Sequence, residues 1–286
     1  MPTLEITTMI GCPVLCTFCP QENLREQMKG KEKYLTLDNF KIILSKIPKH
    51  VRIDFSGMSE PWANPECTSI LLHTLKSGYD VVIYTTLYGL SSEEASNVIK
   101  IIKDYRLQIK DFVIHLQDQN SNMRGMKLDD EWIMVLNQFL EFYEEKILRK
   151  MSFMTMDESG IVHPKLKPIQ SIVGEFMGIA RAGSLDLSQI NGQKVIIIKE
   201  KKGIINCEWT DYYDQNVLLP NGDVLICCMD YNMKHKIGNL IDMNYYDLFK
   251  SNEFLNLINK NIDPNSSANS SICRQCERSK PAKSRM

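Results

Sequence analysis

The stretch Gly11-Cys12-Pro13-Val14-Leu15-Cys16-Thr17-Phe18-Cys19-Pro20 decides how the rest of this sequence is interpreted. Its three cysteines follow an alternating apolar segment, Leu4 to Met9, that predicts a β-strand. Thiolates this close in the chain can converge on one metal centre when the loop curls. The spacing CxxxCxxC supplies three ligands. A 4Fe–4S cluster held by three cysteines keeps one iron open to a substrate or cofactor, whereas a structural metal site is closed.

Two other metal chemistries compete for this loop. Zinc prefers two CxxC pairs or Cys/His mixtures with four ligands, and no fourth ligand follows nearby. A ferredoxin-type run has CxxCxxC spacing with another cysteine close behind. The open triad therefore favours a catalytic cluster, with zinc and a simple electron carrier as the alternatives.

The cysteine loop resembles that of the radical S-adenosylmethionine (radical SAM) superfamily. The resemblance implies that Cys12, Cys16 and Cys19 ligate a 4Fe–4S cluster. It also implies that the open iron chelates SAM and cleaves it reductively to a 5′-deoxyadenosyl radical. Phe18, the aromatic residue before the last cysteine, matches a family position that packs near the adenine.

The composition describes a globular protein without an obvious macromolecular partner. The chain has 286 residues, is 43% hydrophobic and carries a formal net charge of −1, which does not indicate a nucleic-acid or membrane surface. It contains no long apolar run and no signal pattern at the N-terminus. We therefore expect a cytoplasmic protein, in which nine cysteines indicate metal or redox chemistry rather than disulfides.

Short apolar strands alternate with amphipathic helices over the first two-thirds of the chain. The predicted strands cover 4–9, 51–55, 81–85, 112–116, 150–155 and 178–181. The predicted helices cover 36–47, 64–78, 91–103, 128–143 and 164–177. Repeated βα units predict an α/β fold with a parallel sheet, and six units are too few for a closed eight-stranded barrel. A partial (β/α)6 barrel fits, which is also the radical SAM core fold.

Polar residues follow the predicted strands, where the loops of such sheets carry the chemistry. The segment from Gly57 to Glu60 resembles the glycine-rich, glutamate-ending segment that holds the SAM ammonium, although Ser59 stands where a second glycine is common. Thr85 lies at the place of the family's turn after strand three. Gln117 and Asp118, after strand four, are placed to reach the ribose hydroxyls, but ordinary loop capping explains them equally well.

An arginine follows the predicted sixth strand. Arg181-Ala182-Gly183 resembles a segment of radical SAM proteins that carry a second cluster domain. A guanidinium at the barrel mouth suits a polar substrate or a carboxylate. Arg181 is therefore a candidate substrate-contacting residue, with an ordinary surface arginine as the alternative.

The pattern changes beyond residue 190, so we expect a barrel domain at 1–190 and a small second domain at 191–286. Asn221-Gly222 predicts a hairpin that pairs 216–219 with 223–227, and a helix is expected at about 245–257. The second domain contains a further set of cysteines, with a terminal CxxC: Cys207, Cys227, Cys273 and Cys276. Alone, this set is compatible with a zinc ribbon.

After a radical SAM motif, the second set more closely resembles the twitch domain. This domain is the shortened relative of the SPASM domain and binds one auxiliary 4Fe–4S cluster. The resemblance implies that the four cysteines ligate that cluster fully. Either Cys227 or the adjacent Cys228 can be the cluster ligand at this position, and the spacing from Gly222 favours Cys227.

The resemblance leaves two reactions open. Asp230 can act as the base in a dehydrogenation in which the auxiliary cluster takes the electron, and Cys228 can return a hydrogen atom in an epimerisation. The sequence favours oxidation weakly, because an acid near the cluster has no other obvious task.

The expected partners are a substrate and a reductant such as flavodoxin or ferredoxin. The chain starts at strand one, which favours a small polar substrate, such as a sugar or aminocyclitol, over a peptide. Peptide maturation stays an alternative. The alternative from a different functional class is a non-catalytic iron–sulfur or zinc protein.

Overall fold

The computed structural model describes residues 1–155, 159–174, 182, 184, 199–266 and 271–282. The strands are β1 (Thr3–Ile6), β2 (Arg52–Phe55), β3 (Val81–Thr85), β4 (Ile109–Leu116), β5 (Met151–Thr155), β6 (Val173–Gly174), β7 (Ile205–Cys207), β8 (Gln215–Leu218), β9 (Asp223–Leu225), β10 (Lys236–Asn239) and β11 (Ser279–Pro281). The α-helices are α1 (Gln21–Gln27), α2 (Leu37–Ser45), α3 (Cys67–Lys76), α4 (Ser92–Asp104), α5 (Asp130–Glu144) and α6 (Asn252–Ile262). Four 3₁₀ helices cover Pro61–Ala63, Pro164–Ile172, Tyr245–Lys250 and Ile272–Gln275.

Within the described part of the chain, nine strands form one sheet. The order is β10-β9-β8-β1-β2-β3-β4-β5-β6, and the pairs from β8 through β1 to β6 are parallel. Strands β1 to β6 give the predicted partial barrel, and the α/β prediction is confirmed. Parallel strands bring their carboxyl ends to one edge, where the following loops meet.

The two faces of the barrel strands have different residues because side chains alternate along a strand. The outward positions are apolar and pack under the helices; they include Leu4, Ile6, Ile53, Phe55, Ile83 and Phe112. The inward positions are largely polar and line a cavity; they include Thr3, Glu5, Arg52, Asp54, Tyr84 and His115. The core therefore lies between sheet and helices, and the barrel interior is left for a ligand.

The C-terminal hairpin forms as predicted and then extends the barrel sheet. β8 and β9 pair antiparallel across Asn221-Gly222, where Gly222 has a φ of +85°. β8 also pairs in parallel with β1, from Thr3↔Gln215 to Ile6↔Leu218. The sequence did not predict this pairing, because short apolar strands do not specify distant partners. The hairpin therefore lies directly beside the strand that precedes the cysteine loop.

The helices differ from the predictions at three places. A helix, α1, occupies Gln21–Gln27, where no helix was predicted. The helix predicted at 164–177 is a 3₁₀ helix ending at Ile172, because Pro168 interrupts α-helical hydrogen bonding. The helix predicted at 245–257 is divided at Ser251, which caps α6.

A sixth parallel strand is present, but it lies at Val173–Gly174. The strand predicted at 178–181 falls outside the described residues, as does the predicted domain boundary at 190. No helix in the described part of the chain is long and apolar enough to cross a membrane.

Candidate active site and cysteine-lined cavity

The three cysteines of the N-terminal loop line one cavity of about 560 Å³ at the carboxyl ends of the barrel strands. Burial raises the pKa of Cys12 to about 12 and that of Cys16 well above its usual value, and neighbouring cysteines contribute to both rises. Metal binding requires thiolates, so a cluster here releases protons when it binds. The three thiols and the open cavity beside them fit a cluster with a free coordination position.

Gln21, the first residue of α1, holds the cysteine loop in shape. Its side-chain oxygen Oε1 accepts a hydrogen bond from the Cys12 amide at 3.1 Å. Its side-chain nitrogen Nε2 donates to the Met58 carbonyl at 2.7 Å and to Cys19 Sγ at 3.4 Å. Gln21 is buried. Sequence reasoning missed this residue, because a single glutamine after the motif gives no signal.

A second support comes from the loop after β4. The Gly125 amide donates to the Val14 carbonyl at 2.9 Å, and Thr17 Oγ1 donates to Asn122 Oδ1 at 2.9 Å. A Cβ on Gly125 would lie 1.9 Å from the Pro13 carbonyl oxygen. Only glycine permits this approach, so the shape of the cysteine loop depends on a residue more than a hundred positions away.

Glu60 is buried at the edge of the same cavity and is fixed by the end of β3. Its carboxylate accepts from Thr85 Oγ1 at 2.6 Å, from the Thr86 amide at 2.7 Å and from Thr86 Oγ1 at 2.8 Å. Burial raises the pKa of Glu60, and these hydrogen bonds offset part of the rise. The carboxylate is thus held rigidly beside the cysteine loop, since the Glu60 amide also donates to Cys12 Sγ at 3.3 Å.

Phe18, Gly57 and Thr85 line the large cavity together with Glu60. Gly57 has a φ of +30°, and a Cβ there would lie 2.4 Å from the Ile6 carbonyl oxygen. The segment after β2 therefore packs against β1 in a way that requires glycine. Four of the predicted SAM contacts are brought together, and their roles stay predictions.

The other two predicted SAM contacts are not among the residues that line this cavity. The Gln117 amide pairs with the backbone of Met123, accepting from its N–H and donating to its carbonyl, each at 2.9 Å. Asp118 Oδ1 accepts from the Asn120 and Asn122 amides at 2.8 and 3.2 Å. Both side chains thus shape the loop that supports the cysteines, which is the loop-capping role that the sequence left open.

The inner wall of the large cavity is charged. Arg52 and Asp54 of β2 form a two-point ion pair with both N···O distances at 2.6 Å, and Ser56 donates to Glu5 of β1 at 3.2 Å. Burial and neighbouring carboxylates raise the pKa of Tyr84 to about 12, so its hydroxyl stays protonated. Sequence reasoning did not select these residues, although inward charges on predicted strands are a usable signal.

The second set of cysteines lines a separate, smaller cavity. Cys207, Cys227, Cys273 and Cys276 all face it, among mainly apolar and aromatic neighbours. Burial raises the pKa of Cys276 to about 12 and raises those of Cys227 and Cys273. Four cysteines that line one mainly apolar cavity, with no carboxylate among its described lining residues, fit a fully ligated iron–sulfur cluster.

Cys227 and Cys228 face different cavities, since Cys228 lines the larger one. Both lie in the turn that follows β9, so strand alternation does not apply to them. Tyr231 also lines the larger cavity, and its hydroxyl lies 3.7 Å from Cys19 Sγ. Trp209 and Gln215 line both cavities, so they lie between them.

One of the two remaining candidates, Asp230, is not among the described residues that line the large cavity. Asp230 is buried, and its carboxylate accepts from the Lys234 and His235 amides at 2.9 and 2.7 Å. It therefore closes the turn after Cys228, and burial raises its pKa. Arg181 lies outside the described residues. Among those described, no three Cys, His, Asp or Glu side chains converge tightly enough for a single metal ion.

Comparisons with known proteins agree with this geometry. Residues 207–277 match SPASM, an iron–sulfur cluster-binding domain. Among curated proteins, no sequence matches the chain significantly. The fold resembles that of BtrN in complex with AdoMet and 2-DOIA, with a TM-score of 0.59 and 16% identity over 97% of this chain and 93% of BtrN. It also resembles anSMEcpe with bound AdoMet, with a TM-score of 0.55 and 13% identity over 91% and 84%.

The chain thus has the fold of these two AdoMet-bound structures, and its residues 207–277 match the SPASM iron–sulfur cluster-binding domain. All four cysteines of the smaller cavity lie within the matched residues. The predicted fold class and cluster domain are confirmed, and the predicted iron–sulfur and SAM cofactors agree with these comparisons.

Proposed function

We propose that this protein is a radical SAM enzyme that epimerises a small polar substrate bound in the larger cavity. The observation that carries the proposal is the placement of Cys228. Its thiol lines the same cavity as the three loop cysteines and Glu60. Asp230, the base that an oxidation was expected to use, instead caps the backbone of Lys234 and His235. This arrangement favours returning a hydrogen atom over removing a proton.

A cluster at Cys12, Cys16 and Cys19, together with SAM, supplies the radical chemistry that removes a hydrogen atom from the substrate. Glu60 is the proposed partner of the SAM ammonium, since its carboxylate is fixed beside Cys12. Phe18 and Gly57 are the proposed neighbours of the adenine and of the SAM backbone. Gln21 holds the loop that bears the cysteines.

Cys228 is the proposed hydrogen-atom donor. It gives its thiol hydrogen to the substrate radical on the face opposite to the abstraction. Its sulfur then needs one electron and one proton to regenerate the thiol. Cys227, the neighbouring residue, lines the smaller cavity, and a cluster held there would supply one-electron chemistry beside Cys228. A reductant such as flavodoxin or ferredoxin restores that electron.

The cavity wall supports a small polar substrate. Glu5, the Arg52–Asp54 pair and the Tyr84 hydroxyl offer acceptors and donors deep in the barrel. A barrel interior without a bound ligand is usually filled by branched apolar residues. The structures with this fold include both substrate classes, because BtrN is bound to 2-DOIA and anSMEcpe to a peptide.

Dehydrogenation is the second candidate. One observation favours it: Glu5 carries a carboxylate that lines the larger cavity and can take a proton. Trp209 lines both cavities and so lies between the proposed substrate site and the cysteines that would hold the auxiliary cluster.

The test begins with a screen of sugars, aminocyclitols and polyols for compounds that stimulate 5′-deoxyadenosine formation. A compound found this way is then turned over in deuterated water. We expect solvent deuterium in an unoxidised, inverted product. The label and the product should disappear in Cys228→Ala, and Asp230→Asn should retain the label. An oxidised product without label, formed equally by Cys228→Ala, would establish dehydrogenation instead.

A further inference from the structure

Arg274, between the two cysteines of the terminal CxxC, is the largest fully buried side chain among the described residues. Its Nη1 donates to the Lys201 and Gly203 carbonyls at 3.0 and 2.9 Å. Its Nη2 donates to the Lys260 and Asp263 carbonyls, at the end of α6, at 2.6 and 2.8 Å. Within the described residues, no carboxylate forms an ion pair with this guanidinium. A buried charge without a counter-ion is costly.

Arg278, two residues after Cys276, is a second cation, and unlike Arg274 it is among the residues that line the cavity of the four cysteines. Its guanidinium carbon lies 5.2 Å from the centre of the Trp209 ring. Its amide donates to Cys276 Sγ at 3.3 Å. Its ion pair with Glu208 is long, at 3.9 Å, and Glu208 is half exposed. An ion pair this long, with an exposed partner, offsets only part of the Arg278 charge.

Four cysteines line this cavity, and among its described lining residues Arg278 is the one cation and no carboxylate is present. Four thiolates bound to a cluster there would need nearby positive charge.

We propose that Arg274 and Arg278 are the charge partners of the auxiliary cluster and raise its reduction potential. A cluster ligated by four thiolates is anionic, and reduction makes it more so, so a nearby buried cation stabilises the reduced form more than the oxidised form. Arg274 also joins 201–203 and the end of α6 to the CxxC turn, and so positions the ligand loop. This inference rests on the cluster domain and not on the proposed epimerisation.

The experiment measures the midpoint potential of the auxiliary cluster by redox titration with electron paramagnetic resonance. It uses the full chain with Cys12, Cys16 and Cys19 replaced by Ala, so that only the auxiliary cluster contributes. Arg278→Gln and Arg274→Gln should shift the potential downwards, whereas Arg278→Lys should keep most of the wild-type value. Lys280→Gln, which removes an exposed cation four residues beyond Cys276, is the matched control and should not shift it.

Measurements of iron content and melting temperature distinguish a variant with an altered reduction potential from a variant that folds or binds iron poorly. Arg274→Lys keeps the charge but cannot reach all four carbonyls, so we expect a lower melting temperature with a nearly unchanged potential. If Arg274→Gln does not fold, Arg278→Gln alone decides the question. An unchanged potential in Arg278→Gln at full iron content, or an equal shift in Lys280→Gln, would overturn the proposal. The readout needs neither SAM nor substrate, so it is independent of the proposed reaction.

Discussion

Cys227 and Cys228 are neighbours in the chain, yet their side chains line different cavities. Cys227 faces the auxiliary cavity with three other cysteines, and Cys228 faces the large cavity with Glu60 and Tyr231. The turn after β9 makes this possible, because it breaks the alternation of a regular strand. One short segment therefore serves both the proposed auxiliary cluster and the proposed substrate.

The first prediction separates these two cysteines by iron content. Cys227→Ala should lose the auxiliary cluster, about half of the total iron, because three thiolates remain in a site built for four. Cys228→Ala should retain the iron and lose only product formation. Iron and sulfide analysis after anaerobic reconstitution is the measurement. Equal iron loss in both variants would contradict the assignment.

The second prediction concerns Glu60 and SAM. Glu60→Gln removes the carboxylate charge and replaces one of the two acceptor oxygens that Thr85 and Thr86 contact with an NH2 donor. We expect SAM affinity to fall about tenfold or more, since losing a charged hydrogen bond costs more than about 1.4 kcal/mol. Equilibrium dialysis with reconstituted protein measures this. Glu22→Gln, which makes the same change at an exposed position of α1, is the control. An unchanged SAM affinity in Glu60→Gln would contradict the assignment of Glu60 to the SAM site.

The third prediction tests the support of the cysteine loop by Gln21. Gln21→Met keeps the volume of this buried side chain but leaves the Cys12 amide and the Met58 carbonyl without their partner. Each lost partner costs about 1–3 kcal/mol, so the loop should release its iron faster. Gln27→Met makes the same change at an exposed position of the same helix. Equal rates of iron release to a chelator in the two variants would contradict the role of Gln21.

The fourth prediction tests the close approach of Gly125 to the loop. Gly125→Ala places a methyl group against the Pro13 carbonyl, which should destabilise the protein by about 1–3 kcal/mol or more and reduce iron loading. Gly30→Ala is the comparison: Gly30 has open space and a φ of +79°, so only backbone strain of about 1–2 kcal/mol is expected, with normal iron loading. Thermal unfolding and iron analysis measure both effects. Full iron loading in Gly125→Ala would show that the loop does not need this contact.

The sequence predicted what local patterns encode. Cysteine spacing, strand alternation and the Asn221-Gly222 turn, together with the family resemblance that the cysteine motifs carry, predicted the fold class and the cluster domain. It did not predict contacts between distant segments, such as Gly125 with Pro13 or β8 with β1. Asp230 illustrates the limit at the site, because the sequence does not reveal that its carboxylate accepts from the Lys234 and His235 amides.

The most direct test of the account is anaerobic reconstitution followed by reduction in the presence of SAM. The wild-type chain should bind about eight irons, as two cubane clusters, and should form 5′-deoxyadenosine. The variant with Cys12, Cys16 and Cys19 replaced by Ala should bind about four irons and form none. Zinc in place of iron in the wild type, or 5′-deoxyadenosine from the triple variant, would contradict the account.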